Sequence, residues 1–401
     1  MSSFPSNTVK KLILEQAVSA GSFTIPSIAS LTGLSSTSIA RYVEEMKDEG
    51  IIVELASEEK SGRGRRATTY GLKDNSRFFV GVDIKNYGLS MGMMNFSGEM
   101  IKKKTDTSYE YLNTHENMDE VCMAVLDFIR NDCGMSKENV ACVAFCLGGR
   151  VDSARGTSAS LYNFEETRDM SLSAMLGERL GMHVIIENDT KTMAYGEYST
   201  LCKGKWQNIL FVNMGWGLGL GIILGGELYN GSNGYSGELG HVYAYDNNIL
   251  CHCGKKGCIE TEVSGRAVVR KITARIMEGE ASVLSKKARS KTPLTTYDIL
   301  EAIDMEDPLA IDIVSRTGTE LGKHLAGMMN IFNPECIVIG GKFAELPSWY
   351  FIQQTALAIK QYSLKLISQN VPIIASQLQD DAGITGACLL ARSKSLAILS
   401  L

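Results

Sequence analysis

Residues Gly237–His241 read GELGH, and residues Cys251–Glu260 read CHCGKKGCIE. Within this stretch three cysteines and one histidine supply the four nitrogen and sulfur ligands that a closed tetrahedral zinc site needs. Gly254 and Gly257 allow the backbone to turn tightly enough to direct three thiolates to one point. Because four protein ligands leave no position for water, the motif predicts a structural Zn²⁺, with the ligands His241, Cys251, Cys253 and Cys258.

Two alternatives to this ligand set stay open at the level of sequence. His252 is a competing nitrogen ligand, but its place between two ligating cysteines predicts that it points away from the metal. The other interpretation of the motif is a disulfide or a set of unligated thiols.

Three polar side chains flank the predicted metal site. Glu238 and His241 precede the three cysteines in the chain, and Glu260 follows them. Carboxylates and an imidazole held in place accept and donate the directed hydrogen bonds that recognise sugar hydroxyls. The stretch therefore predicts a sugar-binding site next to the metal.

The two motifs together, Gly-Glu-x-Gly-His and Cys-x-Cys-Gly-x-x-Gly-Cys-x-Glu, resemble those of the ROK family of repressors, uncharacterised proteins and sugar kinases. With further motifs the resemblance covers roughly residues 78–400. It implies an α/β chain with a two-lobed, actin/hexokinase-like (ribonuclease H-like) domain and a ligand between the lobes. In the repressor branch, which includes xylose and N-acetylglucosamine repressors, a winged helix-turn-helix precedes this domain.

Length and composition are those of an ordinary globular protein. The chain has 401 residues, 44% of them hydrophobic and 21% charged, which is enough for two or three domains. No apolar run approaches the roughly 18–20 residues of a membrane span, and no signal peptide is expected at the N-terminus. Ten cysteines, three of them in a metal motif, favour a reducing cytoplasm. We therefore expect a cytoplasmic protein that does not enter a membrane.

Residues 1–75 predict a winged helix-turn-helix domain. Three helical patterns succeed one another: the second is capped by Thr24 and ends before Gly33, and the third begins at Ser35 or Ser36. Two short strands at residues 51–55 and 67–72 then enclose a basic loop. This order of elements is typical of DNA-binding domains.

Two sets of residues in this domain are predicted to contact DNA. The loop carries four of the nine basic residues of the domain, and its glycines allow close approach to phosphates or a narrow minor groove; these are Lys60, Arg63, Arg65 and Arg66. The start of the third helix is predicted to reach a major groove through Ser36, Thr37, Ser38, Arg41 and Tyr42. The alternative is a protein-binding module with a solvated charged loop.

An internal repeat organises the rest of the chain. Residues 78–104 read as three strands, FFVGVDI, LSMGMMN and EMIKKK, and residues 208–229 repeat the plan as NILFVNM, LGLGIIL and ELY. This repeat predicts a domain over residues 76–401 with two lobes, about 76–190 plus the C-terminal helix and about 191–385. Helical spacing over residues 307–332 predicts one long core helix.

The resemblance also implies how this chain differs from kinases of the family. Those kinases carry Asp-x-Gly-Gly-Thr and Gly-Thr-Gly at the two turns that hold the phosphates of ATP. The corresponding stretches here are Asp83–Gly88, which reads DIKNYG, and Gly215–Gly217, which reads GWG. The adenosine-side motif remains at residues 337–341, IVIGG. The bulk at both turns argues against ATP as a cofactor, unless Lys85 compensates as a phosphate ligand.

The sugar side matches the family better. Residues 143–152, VAFCLGGRVD, resemble the strand that ends in Pro-Gly-x-Val-Asp, and Asn163 follows where the family places a sugar-contacting asparagine. Asn188 and Asp189 end the next strand, at residues 183–186, and precede a helix near Thr190. In family kinases this aspartate is the general base. Here it alternatively makes a plain hydrogen bond to a sugar or caps the helix.

We therefore expect a sugar-responsive transcriptional repressor, acting as a homodimer or homotetramer on double-stranded operator DNA. A carbohydrate or sugar phosphate is its expected effector, bound by Asn163, Asn188, Asp189, Glu238, His241 and Glu260. The alternative is an ATP-dependent sugar kinase with an added DNA-binding module and Asp189 as its catalytic base. A third possibility is a DNA-binding scaffold without ligand recognition.

Overall fold

A computed structural model describes residues 6–55, 67–162, 164 and 170–399. The chain forms two compact units. One comprises residues 1–187 and 387–401, and the other comprises residues 188–386. Among the described residues, no helix has both the length and the apolar character that crossing a membrane requires.

The N-terminal part of the first unit contains three helices and a small antiparallel sheet. The helices are α1 (Ser6–Ala20), α2 (Ile25–Thr32) and α3 (Ser36–Asp48), and the strands are β1 (Phe23–Thr24), β2 (Ile52–Leu55) and β3 (Thr69–Leu72), in the order β1-β3-β2. Thr24 caps α2 in a capping box with Ser27, and Gly33 ends that helix in a left-handed conformation, as the sequence predicts. Ser35, one of the two predicted caps, accepts the backbone N–H of Ser38 and starts α3.

The same unit contains a five-stranded sheet. Its strands are β4 (Phe78–Lys85), β5 (Tyr87–Asn95), β6 (Met100–Glu110), β7 (Val140–Leu147) and β10 (Val184–Asn188), in the order β10-β7-β4-β5-β6. A two-stranded pair, β8 (Val151–Asp152) and β9 (Thr157–Ser158), follows β7. The helices are α4 (His115–Asp127) and α5 (Leu172–Leu180). Buried side chains of α1 and α3 share one hydrophobic cluster with Phe79 and Phe96 of this sheet region.

The second unit repeats the arrangement of strands. Its sheet has the order β13-β12-β11-β14-β15, formed by β11 (Ile209–Met214), β12 (Leu218–Leu224), β13 (Glu227–Leu228), β14 (Cys336–Gly340) and β15 (Ile373–Ala375). In both sheets one strand pairs antiparallel with the next strand and parallel with a later one: β4 with β5 and β7, and β11 with β12 and β14. The duplication predicted from the sequence is therefore present in the pairing of the strands.

Helices surround the second sheet. They are α6 (Asp189–Glu197), α7 (Gly265–Met277), α8 (Ser285–Ala288), α9 (Thr296–Asp304), α10 (Pro308–Phe332), α11 (Ile352–Tyr362) and α12 (Lys365–Ser368), and α13 (Ala382–Leu399) ends the chain. The long helix predicted over residues 307–332 is α10, which Asp307 caps. Gly318 and Gly322 allow α11 to approach closely, since a Cβ at Gly318 would lie 2.7 Å from the carbonyl oxygen of Phe351.

Candidate metal centre and ligand site

Four side chains in the second unit converge on one point. The ligand atoms of His241, Cys251, Cys253 and Cys258 all lie within 4.8 Å of one another. Nδ1 of His241 lies 3.5 Å from Sγ of Cys251, and the sulfurs of Cys253 and Cys258 lie 3.7 Å apart. Ligand–metal distances of about 2.0–2.3 Å in a tetrahedron place neighbouring ligand atoms about 3.5–3.8 Å apart. The separations and the donor types both fit a four-coordinate metal ion.

The backbone of the loop accounts for this convergence. Gly254 and Gly257 have φ angles of 87° and 75°, in the left-handed region that glycine adopts without strain. The N–H of Gly254 donates to the carbonyl of Cys251 at 2.9 Å, and the N–H of Cys251 donates to the carbonyl of Lys255 at 2.8 Å. These two bonds close a tight turn that directs the first two thiols to the same side.

His241 links the predicted metal site to a carboxylate. Its Nδ1 faces Cys251, while its Nε2 lies 3.6 Å from a carboxylate oxygen of Glu238. A metal-binding histidine usually directs its second ring nitrogen to such an acceptor, which fixes the orientation of the ring. Glu238 is therefore placed to orient His241 while part of its side chain, 38% of it, stays exposed.

His252 differs from the expectation that it points away. Its Nδ1 lies 2.7 Å from a carboxylate oxygen of Glu260 and 3.9 Å from the sulfur of Cys251. Its ring meets the ring of His241 edge-on at 5.0 Å. The sequence spacing did not reveal this position, because the short helical turn at Ile259–Thr261 brings Glu260 back towards the loop and offers His252 a partner.

Glu260 is the most buried carboxylate of this cluster, with 8% of the residue exposed. One of its oxygens accepts the backbone N–H of Leu218 at 3.1 Å, and the other accepts from His252. Burial alone would raise the pKa of Glu260, but the hydrogen bond and charge of His252 outweigh it and hold this pKa below its usual value. The same hydrogen bond raises the pKa of His252.

Asp189 lies at the start of α6. Its carboxylate accepts the N–H of Thr190 at 2.6 Å and the side-chain amide of Asn188 at 3.0 Å. The alternative that Asp189 caps the helix is wrong, because Asn188 is the cap and accepts the N–H of Lys191 at 3.0 Å. Asp189 is thus not used as the cap of the helix that carries it.

The start of β12 contacts both the residue after Asp189 and the metal loop, by which we mean residues 251–260. A Cβ at Gly219 would overlap the side chain of Thr190, and a Cβ at Gly217 would lie 2.8 Å from Oε2 of Glu260. The hydroxyl of Thr190 also accepts from Asn213 at 3.1 Å. Thr190, which follows Asp189, and Glu260 therefore both lie against residues 217–219 at the start of β12, whereas Asn163 lies outside the described residues.

Two contacts near this site were not predicted from the sequence. Lys191 is 2% exposed, and its ammonium donates to the carbonyl of Gly234 and to Oδ1 of Asn230 at 3.4 Å. The hydroxyl of Tyr245 lies 2.7 Å from Nε2 of His324. These contacts tie α6 and α10 to the loop segments around Glu238 and His241. The sequence shows a lysine close to Asn188 and Asp189, but it does not show the partner of that lysine, Gly234, which is more than forty residues away.

Gly237 is expected to be irreplaceable for the position of Glu238. Its φ is 85°, and a Cβ there would overlap the carbonyl oxygen of Leu220. Gly237→Ala should lower the free energy of unfolding by about 1–2 kcal/mol for the left-handed backbone and by about 1–3 kcal/mol more for the clash. Gly204→Ala is a matched control, because Gly204 has a φ of 84° and no atom within 4 Å of an added Cβ. Equal losses in chemical denaturation of the two variants would contradict the predicted clash.

Groups of the two turns that resemble phosphate turns make contacts within the chain. In the first unit, residues 86 and 87 form a tight hairpin between β4 and β5, and the ammonium of Lys85 lies 3.4 Å from the buried carboxylate of Asp83. In the second unit, the carbonyls of Gly215 and Trp216 accept the N–H groups of Gly265 and Arg266 at 2.9 and 3.1 Å. The indole of Trp216 stands beside Arg266, whose guanidinium lies 5.6 Å from the ring centre.

The structure explains why the last two residues of the IVIGG stretch are glycines. A Cβ at Gly340 would overlap the ring of Phe211, and Gly341 has a φ of 80°. The two glycines are thus required by packing and backbone conformation in the second sheet. They carry no specific information about adenosine.

The predicted DNA-contacting residues divide into three groups. Ser36, Thr37 and Arg41 are exposed on α3, and Ser38 is half-buried. Tyr42 corrects the prediction: it is 8% exposed, because it joins the buried face of α3 in the hydrophobic cluster. Lys60, Arg63, Arg65 and Arg66 lie outside the described residues.

Comparisons with known proteins add three findings. The sequence model of the ROK family matches residues 86–394. The chain is 25% identical over 388 residues to a putative xylose repressor of Caldicellulosiruptor sp. (strain Rt8B.4), covering 97% of this chain and 96% of that protein. It is also 26% identical over 315 residues to a glucokinase of Thermotoga maritima, covering 79% of this chain and 97% of that one.

One solved structure extends the comparison to the fold. The crystal structure of a ROK family transcriptional regulator, a homologue of the Escherichia coli MLC protein, aligns with a TM-score of 0.80 at 24% sequence identity. The alignment covers 98% of each chain, and it shows that the two share their fold.

Proposed function

This chain belongs to the ROK family, and on that premise we propose that it is a sugar-responsive transcriptional regulator of the repressor type. The observation that carries the proposal is the extent of the similarity. The xylose repressor matches 97% of the chain, including the N-terminal helices, whereas the glucokinase matches 79%. The part of the chain that the glucokinase does not match would be the DNA-binding domain of a regulator.

We propose that residues 1–75 are a winged helix-turn-helix domain and that residues 76–401 are the sugar-binding domain of two lobes. The order α1, α2, α3, β2 and β3 supports the first assignment. Ser36, Thr37, Ser38 and Arg41 would face the major groove, and the basic loop with Lys60, Arg63, Arg65 and Arg66 would contact phosphates. Tyr42 is left out of this set, since it belongs to the core.

We propose Zn²⁺ as the metal held by His241, Cys251, Cys253 and Cys258. Three thiols and one imidazole are the donors that zinc prefers in closed structural sites. When bound, the ion would cross-link the loop and supply no chemistry of its own. Glu238 and Glu260 would then be held next to the ligands by His241 and His252.

We propose that the sugar is bound by Asn188, Asp189, Glu238, His241 and Glu260 in the second unit, with Asn163 as a further contact. Asp189 and Glu238 are partly exposed, so the hydroxyl groups of a sugar can reach their carboxylates. A bound carbohydrate would favour one arrangement of the chain over another. Within the first unit, the N-terminal module would move together with the sheet, because the N–H of Phe96 donates to the carbonyl of Asp74 at 2.8 Å and a shared core joins the two.

A regulator of this type would act on operator DNA in the cytoplasm as a homodimer or homotetramer. Two DNA-binding domains would read two half-sites at a defined spacing, and the bound sugar would change the separation of the two domains. The alternative function, a sugar kinase with Asp189 as general base, requires ATP at turns that carry the large indole of Trp216 and the Lys85–Asp83 pair.

The proposal is tested by a thermal-shift screen of the purified protein against hexoses, pentoses, amino sugars and their phosphates, each with and without Mg-ATP. A shift with one sugar and none with ATP is expected. The same sugar should change the affinity for operator DNA. A shift with ATP followed by turnover of the sugar would contradict the proposal and identify a kinase.

Asp189→Asn should weaken binding of the sugar found in that screen by roughly 10- to 100-fold, since a hydrogen bond to a charged group contributes about 1.5–3 kcal/mol. The zinc content should stay unchanged, because Asp189 is not a ligand. Asp304→Asn, an exposed carboxylate on α9, is the control and should bind the sugar normally. Equal affinities of the two variants would remove Asp189 from the site.

A further inference from the structure

A basic groove of about 500 Å³ runs between α7 and α10 in the second unit. Arg270, Lys271 and Arg275 line it from α7, and Ile313, Arg316 and Glu320 line it from α10. Four of these six side chains are cationic and one is anionic, although the whole chain has a net charge of −5. Each of these cations is paired with a carboxylate beside the groove, from Glu262, Glu280 or Asp312, so the groove is lined by oriented ion pairs rather than by an excess of positive charge.

Two of the guanidinium groups have nitrogens that the protein does not use. Arg316 donates through Nε to Asp312 at 2.8 Å, and Arg270 donates through Nη2 to the carbonyl of Thr261 at 2.8 Å and to Glu262 at 3.4 Å. Within the described part of the chain, both terminal nitrogens of Arg316 and Nε and Nη1 of Arg270 have no acceptor. Each arginine thus offers open N–H donors in a fixed planar arrangement.

The surrounding carboxylates orient these cations. Lys271 lies 2.9 Å from Glu262, and Arg275 bonds to Glu280 with Nη2 at 2.8 Å from the carboxylate. The one acid in the lining, Glu320, is itself engaged by Lys323 at 2.5 Å and by the hydroxyl of Tyr245 at 3.3 Å. The cations are held in place before a ligand arrives, which lowers the entropic cost of binding an anion.

We propose that this groove is a second ligand site, for a small molecule that carries a phosphate group. The planar donors of an arginine match two phosphate oxygens at once, which a single ammonium does not. The groove is larger than one phosphate needs, and its size is typical of sites for small organic ligands. Ile313 and Ala274 supply an apolar surface for the organic part, and Thr319 supplies a hydroxyl.

The groove is connected to the metal loop through Glu262. This residue follows Glu260 by two positions, accepts from Asn247 at 2.9 Å and pairs with Lys271 and Arg270. An anion in the groove competes with Glu262 for these cations, so its binding would be coupled to the proposed sugar site. This coupling rests on the proposed function, whereas the binding of the anion does not.

The binding is tested by titration calorimetry with phenyl phosphate and with inorganic phosphate, at constant ionic strength set by sodium chloride. Saturable binding is expected for both, and it should be tighter for phenyl phosphate because the ring packs on Ile313. The double variant Arg270→Gln/Arg316→Gln should weaken phenyl phosphate binding by roughly tenfold or more. Arg316→Lys should also weaken it, since the charge remains but the planar pair of donors is lost.

The control is Lys286→Gln/Lys291→Gln, which removes the same charge from exposed positions outside the lining. It should bind phenyl phosphate like the unmodified protein. Absence of saturable binding, or equal weakening in both double variants, would overturn the proposal. Binding of a poly-glutamate peptide without binding of either phosphate would also overturn it, and would indicate a surface for an acidic protein. None of these outcomes depends on sugar or operator DNA.

Discussion

Replacing Cys258 with serine is expected to abolish zinc retention and to lower the thermal midpoint by roughly 10 °C or more. Structural zinc stabilises small folded peptides by about 10–16 kcal/mol, so even part of that contribution is large. One kcal/mol corresponds to about 2–4 °C in a domain of 150–250 residues, and the second unit spans residues 188–386. Cys258 is 1% exposed and its sulfur lies 3.7 Å from that of Cys253. A serine at this buried position would leave only three of the four ligands.

The measurement combines metal analysis of the purified protein with thermal denaturation, with and without a chelator. Cys133→Ser is the matched control, because Cys133 is a half-buried thiol outside the cluster. It should retain zinc and most of the stability. Unmodified protein that contains no metal and is equally stable with a chelator would falsify the zinc site.

Loss of the metal should also disturb the proposed sugar site. Glu238 lies beside His241 and Glu260 beside His252, and these histidines belong to the segment that the metal would cross-link. We therefore expect Cys258→Ser to lose the sugar-dependent thermal shift as well. Retained sugar binding in a metal-free protein would separate the two sites.

Neutralising Arg63, Arg65 and Arg66 to glutamine is expected to weaken binding to every DNA sequence by roughly tenfold or more. The reason is that the rest of the N-terminal domain, without the basic loop, carries more negative than positive charge. In residues 6–55 and 67–75, five basic residues face seven acidic ones, so the basic loop supplies the positive charge that phosphates require. Each phosphate contact contributes about 0.9 to the slope of log K against log salt concentration. Loss of three contacts should therefore reduce that slope by about 2.7.

The experiment measures affinity for operator and unrelated DNA over a range of salt concentrations. Lys203→Gln/Lys286→Gln/Lys291→Gln removes the same charge from exposed positions of the second unit and should leave the slope unchanged. Arg41→Gln on α3 provides a contrast, because a residue that contacts bases should change the preference among sequences more than the slope. A slope that stays constant in the triple arginine variant would exclude the loop from DNA binding.

Several features of the fold could be predicted from the sequence because they depend on neighbours in the chain. The cap of α2 at Thr24, the left-handed Gly33 after it and the helical spacing of α10 each depend on residues at most a few positions apart. The repeated strand patterns likewise reflect local alternation, and they match the pairing of β4 with β5 and of β11 with β12. The family could be predicted because its motifs occupy short, continuous stretches.

The convergence of the four candidate metal ligands was predictable for the same reason. Cys251, Cys253 and Cys258 lie within eight residues, and His241 lies ten residues before them, so the tight turns of the loop bring them together. Their approach to within 4.8 Å agrees with the predicted ligand set. Which ion they bind stays a prediction of donor chemistry that metal analysis decides.

Other outcomes depended on contacts between distant parts of the chain. Tyr42 was predicted on the DNA face of α3, but the core of helices and strands buries its ring. His252 turns towards Glu260 rather than away, and Gly340 is required by the ring of Phe211, which lies on another strand. Helical or strand periodicity assigns a residue to a face, but the neighbour on that face is set by packing.

The sequence by itself determined the family, the order of elements and the residues that can ligate a metal, because these are encoded in local spacing and side-chain chemistry. Only the tertiary structure decided which partners the polar side chains have. Lys191 meets Gly234, Tyr245 meets His324, and the arginines of α7 face Arg316 of α10 across a common groove. These residues are separated by tens of positions, so their contacts arise when sheets and helices pack and cannot be inferred from spacing alone.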